Sequence, residues 1–505
     1  MLLRVVLVFI SVIIASSSFP VKQALEDYVL SHRENQRALA YAVELDITSA
    51  QRLAIASQPY QSSGWLQLAT ALARVDGHYA WLLSHYYRQQ QDRRNQQYYF
   101  ARAMRLHSAS ALFEQAKQYA EQQQYQRALD VLNPLLLSFA TDGKSPLVAA
   151  LSDNVISVAP VDKDTLLSLA IDWSIAVERL IDVRGLVAQL STNAGQQWYK
   201  TLDQFQIMAI KSTEQQPTRS QLTSQHSSRL GSELVLDSNQ QSKPITHAKT
   251  YPQTRCQYPI QFFASTVPHL QKLTEMFGEL EPFYQQQFCL LTPRYLPPSE
   301  THCYHRSSER IHCQLSPSVL TRLPNGTRYV GVMVAQGGAN VNNGMLFLDA
   351  ADSSAVLAHE LSHLLGFIDE YPLPQAHTAC AQAGHIGHNV ITVEQRIFDT
   401  KAAALAYITD RVPWLDLLDS DTPLVQPTGS GYRLGTPANY QGELGLFLTN
   451  TCNRRDLLSF KPVSELSNLE YYERVMPKVY QTLYQRASNK RLMASFFDNL
   501  QLHLL

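Results

Sequence analysis

The first half of this chain contains no cysteine, and C-x-x-C occurs nowhere in it. That absence removes the common structural zinc modules built on paired thiols. The chain also lacks an excess of charge: Lys+Arg 42 against Asp+Glu 43 gives a formal net charge of -1. Such a balance excludes bulk electrostatic attachment to nucleic acid or to an anionic membrane. Beyond residue 18 no apolar run reaches membrane length, so no integral membrane span is expected in the mature chain.

The N-terminus is of another kind. Met1 to Arg4 supplies a basic residue, Val5 to Ala15 a short apolar core, and Ser16 to Ser18 small residues. This pattern predicts a secretory signal peptide over 1–18, and hence export to the periplasm or secretion. No cysteine follows the apolar core, so no lipid anchor is expected. In an exported chain the even set Cys256, Cys289, Cys303, Cys313, Cys380 and Cys452 reads as disulfides, among fifteen possible pairings. Cys303 and Cys313 flank a short polar segment suited to a hairpin, Tyr304 to His312.

At 505 residues the chain exceeds what one core supports, which predicts a multidomain protein. Residues 19–210 read as all-α, rich in Ala, Leu, Gln and Tyr. Residues 211–250 shift to Ser, Gln and Thr and read as a flexible linker. From 251 to 505 strands and helices alternate. Ile260 to Ala264, Arg328 to Ala335 and Gly344 to Leu348 are predicted strands, with an amphipathic helix over Val267 to Gln287. The tail from Glu465 to Leu505 is expected to be helical.

The strongest signal is His359-Glu360-Leu361-Ser362-His363-Leu364-Leu365-Gly366-Phe367-Ile368-Asp369. Asp352, Ser353 and Ser354 are good helix N-cap types ahead of it. On that helix His359 and His363 share one face, so their imidazoles converge on a single ion. With one further ligand they hold Zn2+ tetrahedrally and leave a fourth position for water, from which Glu360 takes a proton. Gly366 stands where a left-handed cap would turn the chain and bring Asp369 back. Glu370 competes as third ligand. Glu394 would make the site thermolysin-like but leaves Gly366 unexplained. Cys380 and Cys452 would tie together the two loops that follow this helix, and His377, His385 and His388 read as pocket-wall or exposed residues.

H-E-x-x-H-x-x-G-x-x-D resembles the metzincin zinc signature with aspartate as third ligand, as in snapalysin-like peptidases. The continuation Asp369-Glu370-Tyr371 is similar to the IgA-peptidase family. The resemblance implies one Zn2+ per chain held by His359, His363 and Asp369, with Glu360 as general base. It also implies an α/β metzincin-like domain whose sheet-edge strand holds a protein or peptide substrate, the Gln336 to Asn340 loop forming its rim. The methionine turn of that family has no clear counterpart: Asn450 to Arg454 lacks methionine, and Met476 is the other candidate. Tyr480 or Tyr484 would supply a phenol to the oxyanion. In the helical part, two segments look similar to tetratricopeptide (TPR) repeats. Leu83, Ser84, Tyr87, Phe100 and Ala103 occupy packing positions of the first, and Leu112, Ala116, Tyr119, Tyr125, Ala128, Leu129 and Leu132 those of the second, with Pro134 closing the unit. Such stacked hairpins would offer a surface to a protein partner. Two functions follow: an exported zinc endopeptidase, or a helical-repeat scaffold carrying an inactive metallopeptidase-like domain.

Overall fold

The computed structural model describes residues 21–142, 162–208, 257–305, 310–374, 376–440, 442–452, 456–488 and 490–504. The segments read from sequence as a signal peptide (1–18) and a linker (211–250), and Cys256, lie outside these. The chain divides into two compact units, Met1–Lys200 and Thr201–Leu505, a little ahead of the boundary expected at 210.

The first unit is helical: α1 (21–31), α2 (Gln36–Glu44), α3 (Thr48–Ala56), α4 (Ser63–Leu72), α5 (Gly77–Gln89), α6 (Arg93–Arg105), α7 (Ala109–Glu121), α8 (Tyr125–Asp142), α9 (Lys163–Ala176) and α10 (Leu180–Val187). α11 (Thr192–Gln204) crosses the division. Side chains of Asn35, Ser62, Asp76, Asp92 and Asp162 accept from the first-turn amides, which would otherwise be unsatisfied. Tight turns between helices close on left-handed residues, among them Gln91, His107 and Gln123. Leu83, Ser84, Ala103, Leu112, Ala116, Ala128, Leu129 and Leu132 are buried, while Tyr87, Phe100, Tyr119 and Tyr125 pack at the margin of the same clusters. Pro134 closes nothing: α8 runs through it to Asp142.

A polar tie fastens α5 to α7. Glu114 accepts from Trp81 Nε1 at 2.9 Å and Arg88 Nη2 at 2.5 Å, with His85 Nε2 at 3.0 Å. Burial works against its charge, but these three partners prevail and bring its pKa down to about 2 from 4.5. A depressed carboxylate stabilises the fold above its unfolded pKa and loses that contribution as pH falls from about 4.5 toward about 2. Glu114→Gln is expected to cost about 1–2 kcal/mol at neutral pH, discounted for partial exposure, and to flatten the acid loss over that window. Denaturant melts at pH 7 and pH 3 read both effects.

In the second unit β1 (Tyr258–Ala264) leads into α12 (Val267–Glu279) and α13 (Pro282–Gln287). The single helix expected over 267–287 is thus broken. Leu280 is extended, and Pro282 starts a new helix at a position that needs no amide hydrogen. There follow β2 (Phe288–Leu290), β3 (Arg294–Tyr295), β4 (Thr301–His305), β5 (Ile311–Leu315), β6 (Tyr329–Val334), β7 (Asn340–Asn342), β8 (Met345–Asp349) and α14 (Ser354–Leu364). The main sheet has the order β2-β1-β6-β8-β7, with β3 also pairing β1. Its pairings are parallel except β7 with β8, so the outermost strand on that side runs antiparallel. Its strands are buried along most of their length, as a sheet covered on both faces requires.

Beyond α14 come β9 (Gly384–His385), β10 (Ile391–Glu394), α15 (Lys401–Ile408), β11 (Val425–Thr428), β12 (Gly431–Leu434), β13 (Phe447–Thr449), β14 (Leu457–Lys461) and α16 (Lys478–Arg486). An antiparallel sheet orders them β13-β14-β10-β9. The tail is not the continuous helix expected over 465–505. Among its described residues only α16 and a 3-10 stretch at Phe496–Leu502 are helical. Its backbone instead bonds α14, the residue before β6, and β5: Met493 N to Leu364 O, Phe496 N to Arg328 O, and Leu315 N to His503 O. Cys303–Cys313 bridges the β4–β5 hairpin at directly opposed residues, and Cys380–Cys452 is the second disulfide. Cys289 is disulfide-bonded as well. Among the described residues no helix is long and apolar enough to cross a membrane.

Candidate metal centre

α14 starts where Ser353 accepts the Val356 amide, and Leu357, Leu361 and Leu364 anchor it in the core. Its rigidity fixes His359 and His363 one turn apart. The helix stops at Gly366, whose φ of +90° is left-handed and where any side chain would collide with the Arg491 carbonyl. Gly366→Ala is therefore expected to cost about 2 kcal/mol or more and to weaken metal retention, read by thermal melt and zinc titration.

After the turn the chain is gripped from three sides. Asn389 takes the Ile368 amide at 3.0 Å and gives to the Ile368 carbonyl at 2.8 Å. Thr451 Oγ1 donates to the Asp369 carbonyl at 2.9 Å, and the Glu370 amide donates to Leu469 O at 2.9 Å. The Cys380–Cys452 disulfide sits beside Thr451, so it braces this arm. Held this way, Asp369 Oδ1 lies 3.2 Å from both His359 Nε2 and His363 Nε2, which are 3.1 Å apart. Among the described residues this is the only group of three or more His, Cys, Asp or Glu poised for a metal.

The protonation pattern tells what the triangle wants. His359 Nδ1 donates to Asn468 O at 2.7 Å and His363 Nδ1 to Phe367 O at 3.1 Å. A carbonyl only accepts, so both Nδ1 atoms carry hydrogen and the neutral rings turn bare Nε2 lone pairs toward each other. Asp369 Oδ1 is buried in their midst without a well-directed hydrogen bond. Three acceptors thus face one point, an arrangement that requires a positive charge. Without a cation it draws a proton. Burial opposes the charge on His363, but Asp369 prevails and pushes its pKa up to about 9, while the imidazoles hold Asp369 well below the usual carboxylate range. Zn2+ at about 2.0–2.1 Å from each ligand gives tetrahedral edges of roughly 3.3 Å, close to those observed, so the residues fit the ion.

Glu370 does not compete for this role. Its buried carboxylate is already satisfied by Asn389 Nδ2 at 2.9 Å, Tyr480 at 2.5 Å, Lys461 Nζ at 2.8 Å and Ser467 at 2.8 Å. Glu394 is exposed on β10 and has no part in the triangle. Glu360 is 6% exposed beside the ligands, and burial raises its pKa against the pull of His363 and His359.

Several finer placements differ from the sequence reading. Tyr480 is spent on Glu370, and the Tyr484 hydroxyl donates to Tyr258 at 3.0 Å. The phenol at the candidate ligands is Tyr371, stacked parallel to His359 at 6.4 Å and close to the Asp369 carboxylate. The residue under His359 is Asn468, in a Ser467–Leu469 turn without methionine, while Met476 is buried next to Glu281. His377 caps a short 3-10 helix, His385 lies in β9, and His388 accepts from Arg491 N, so none joins the ligands. Gly337 and Gly338 donate to Asp349, shaping the loop that enters β7. Asn468, Lys461 and Asn389 carried no local signal, because each acts across a long stretch of chain.

Compared with known proteins, the chain matches no family model, no curated protein and no solved structure.

Proposed function

We propose that this chain is an exported zinc-dependent endopeptidase. The observation that carries the reading is the meeting of two Nδ1-protonated imidazoles and a buried, unsatisfied carboxylate oxygen at one point. His359, His363 and Asp369 would hold Zn2+, which supplies polarisation of the scissile carbonyl and activation of a water. Glu360 takes the proton from the attacking water and returns it to the leaving amine. Asn468 and Phe367 keep the imidazoles oriented, and the Tyr371 phenol, stacked over His359, bonds the Asp369 carboxylate and steadies it as a ligand. A mainly parallel sheet with an antiparallel outermost strand, β7, supports the metzincin-like reading, with an extended substrate added along that edge. Paired helices α5–α6 and α7–α8, with small buried Ala103, Ala116 and Ala128 at their crossings, support TPR-like repeats and a protein partner on that unit.

The test is metal analysis of the purified mature protein together with a broad peptide-library digest, with and without chelator. One zinc per chain and chelator-sensitive cleavage are expected. Absence of zinc from a folded sample that refuses added zinc would overturn the proposal.

A further inference from the structure

The carbonyl that orients His359 belongs to a turn, and a turn alone does not fix where its carbonyl points. His359 Nδ1 donates to Asn468 O at 2.7 Å, and Asn468 stands outside every helix and strand. The side chain of the same residue supplies an anchor. Asn468 Nδ2 lies 3.0 Å from Tyr284 Oη, which lies 2.8 Å from Ser362 Oγ, which in turn lies 2.8 Å from Ala358 O. Tyr284 and Ser362 are wholly buried and Asn468 nearly so.

Elimination gives the direction of each bond. The Ala358 carbonyl only accepts, so it takes the Ser362 hydrogen. Tyr284 must then donate to Ser362, and the Asn468 atom facing Tyr284 must be the amide nitrogen. The Asn468 Oδ1 atom is left buried without a hydrogen bond, so the side chain is turned to serve Tyr284 at some cost. Ala358 directly precedes His359 on α14, and the bonds therefore form a closed ring. It runs from the His359 imidazole through Asn468, Tyr284 and Ser362 back to the helix that carries the imidazole. Tyr284 enters it from α13, the short helix that begins anew at Pro282. We infer that Tyr284 is a positioning residue of the metal centre. Acting through Asn468, it holds the carbonyl that keeps His359 in the tautomer and direction with Nε2 toward the ion. His363 stands outside the ring, because its Nδ1 is served locally by Phe367 O.

This inference rests on the peptidase reading, and the experiment separates the two. Full-length protein carrying isotope-labelled histidine is freed of metal, and solvent exchange of the Nδ1 hydrogens of His359 and His363 is followed by NMR. In Tyr284→Phe the His359 hydrogen is expected to exchange roughly tenfold faster while that of His363 keeps its rate. Ser362→Ala removes the acceptor of Tyr284 and should act in the same direction. The double variant should exceed the stronger single variant by no more than about twofold, since both break one chain of bonds. Zinc affinity, read by competition with a chelating indicator, should fall about tenfold in each variant. Unchanged exchange at His359, equal acceleration at both histidines, additive effects, or faster exchange with undiminished zinc affinity overturns the inference. If Tyr284→Phe fails to fold, Ser362→Ala decides by the same readouts. The exchange is measured without metal, so a selective effect at His359 in a chain that takes up no zinc refutes the peptidase reading alone.

Discussion

Glu360→Gln is expected to reduce peptide hydrolysis by about 10³ to 10⁴ while leaving one zinc per chain. The substitution keeps the size and shape of a side chain that is almost wholly buried on α14. It removes only the capacity to accept a proton. The ligands are untouched, since His359 and His363 are oriented by Asn468 and Phe367 and Asp369 by its own arm. Burial raises the proton affinity of Glu360, and the neighbouring imidazoles partly offset the rise. A base in that condition both takes a proton and gives it up, which a strongly acidic carboxylate does poorly. Single-turnover cleavage of a peptide identified by the library digest, alongside zinc analysis, makes the check. Activity within tenfold of wild type would remove Glu360 from the chemistry. Loss of zinc together with activity would make its role structural.

Lys461→Met is expected to destabilise the second unit by about 3–5 kcal/mol and lower its melting temperature by roughly 10 °C. Lys461 and Glu370 are both buried, 2.8 Å apart, and removing the cation strands a carboxylate in the interior. The damage should spread to the metal, because Glu370 directly follows Asp369 in the chain. Zinc affinity is therefore expected to fall with stability. The double variant Glu370→Leu with Lys461→Met should recover part of the loss, since an apolar pair leaves no orphaned charge. A single variant within 1 kcal/mol of wild type, measured by denaturant titration, would show that Glu370 is satisfied by Tyr480, Ser467 and Asn389 alone.

How far the sequence foretold all this depends on distance along the chain. The ligand helix was legible because its signals are local: the cap at Ser353, two histidines one turn apart, and a glycine at the stop. Strands β1, β6 and β8 showed as apolar runs, and the hairpin between Cys303 and Cys313 showed in its spacing. The Cys380–Cys452 bridge likewise joins the loops that the sequence suggested. What stayed hidden is what arrives from afar. Lys461 and Tyr480 reach Glu370 from 91 and 110 residues away, and nothing in their own neighbourhoods marks them. The tail misled because its apolar residues imitate an amphipathic helix, whereas outside α16 and the 3-10 stretch the described chain runs in turns and irregular backbone, tied by single bonds to Leu364, Arg328 and Leu315. Tyr371 was overlooked in favour of Tyr480 and Tyr484 for a related reason. Which phenol faces the ligands is settled by the Gly366 turn, a matter of three-dimensional direction.

The hydrogen bonds that orient the three ligands have one more consequence. Every one of them joins protein to protein, so none needs the ion in order to form. The centre is a socket and not a clasp closed by its occupant. A chelated sample should keep its circular dichroism spectrum, in contrast to small domains that unfold when zinc leaves. Such an empty socket should take up added zinc at once, releasing a proton as it does so, and the uptake should weaken as acid competes for His363. Were the chain exported as proposed, it would be able to travel unloaded and acquire its metal wherever the metal is found.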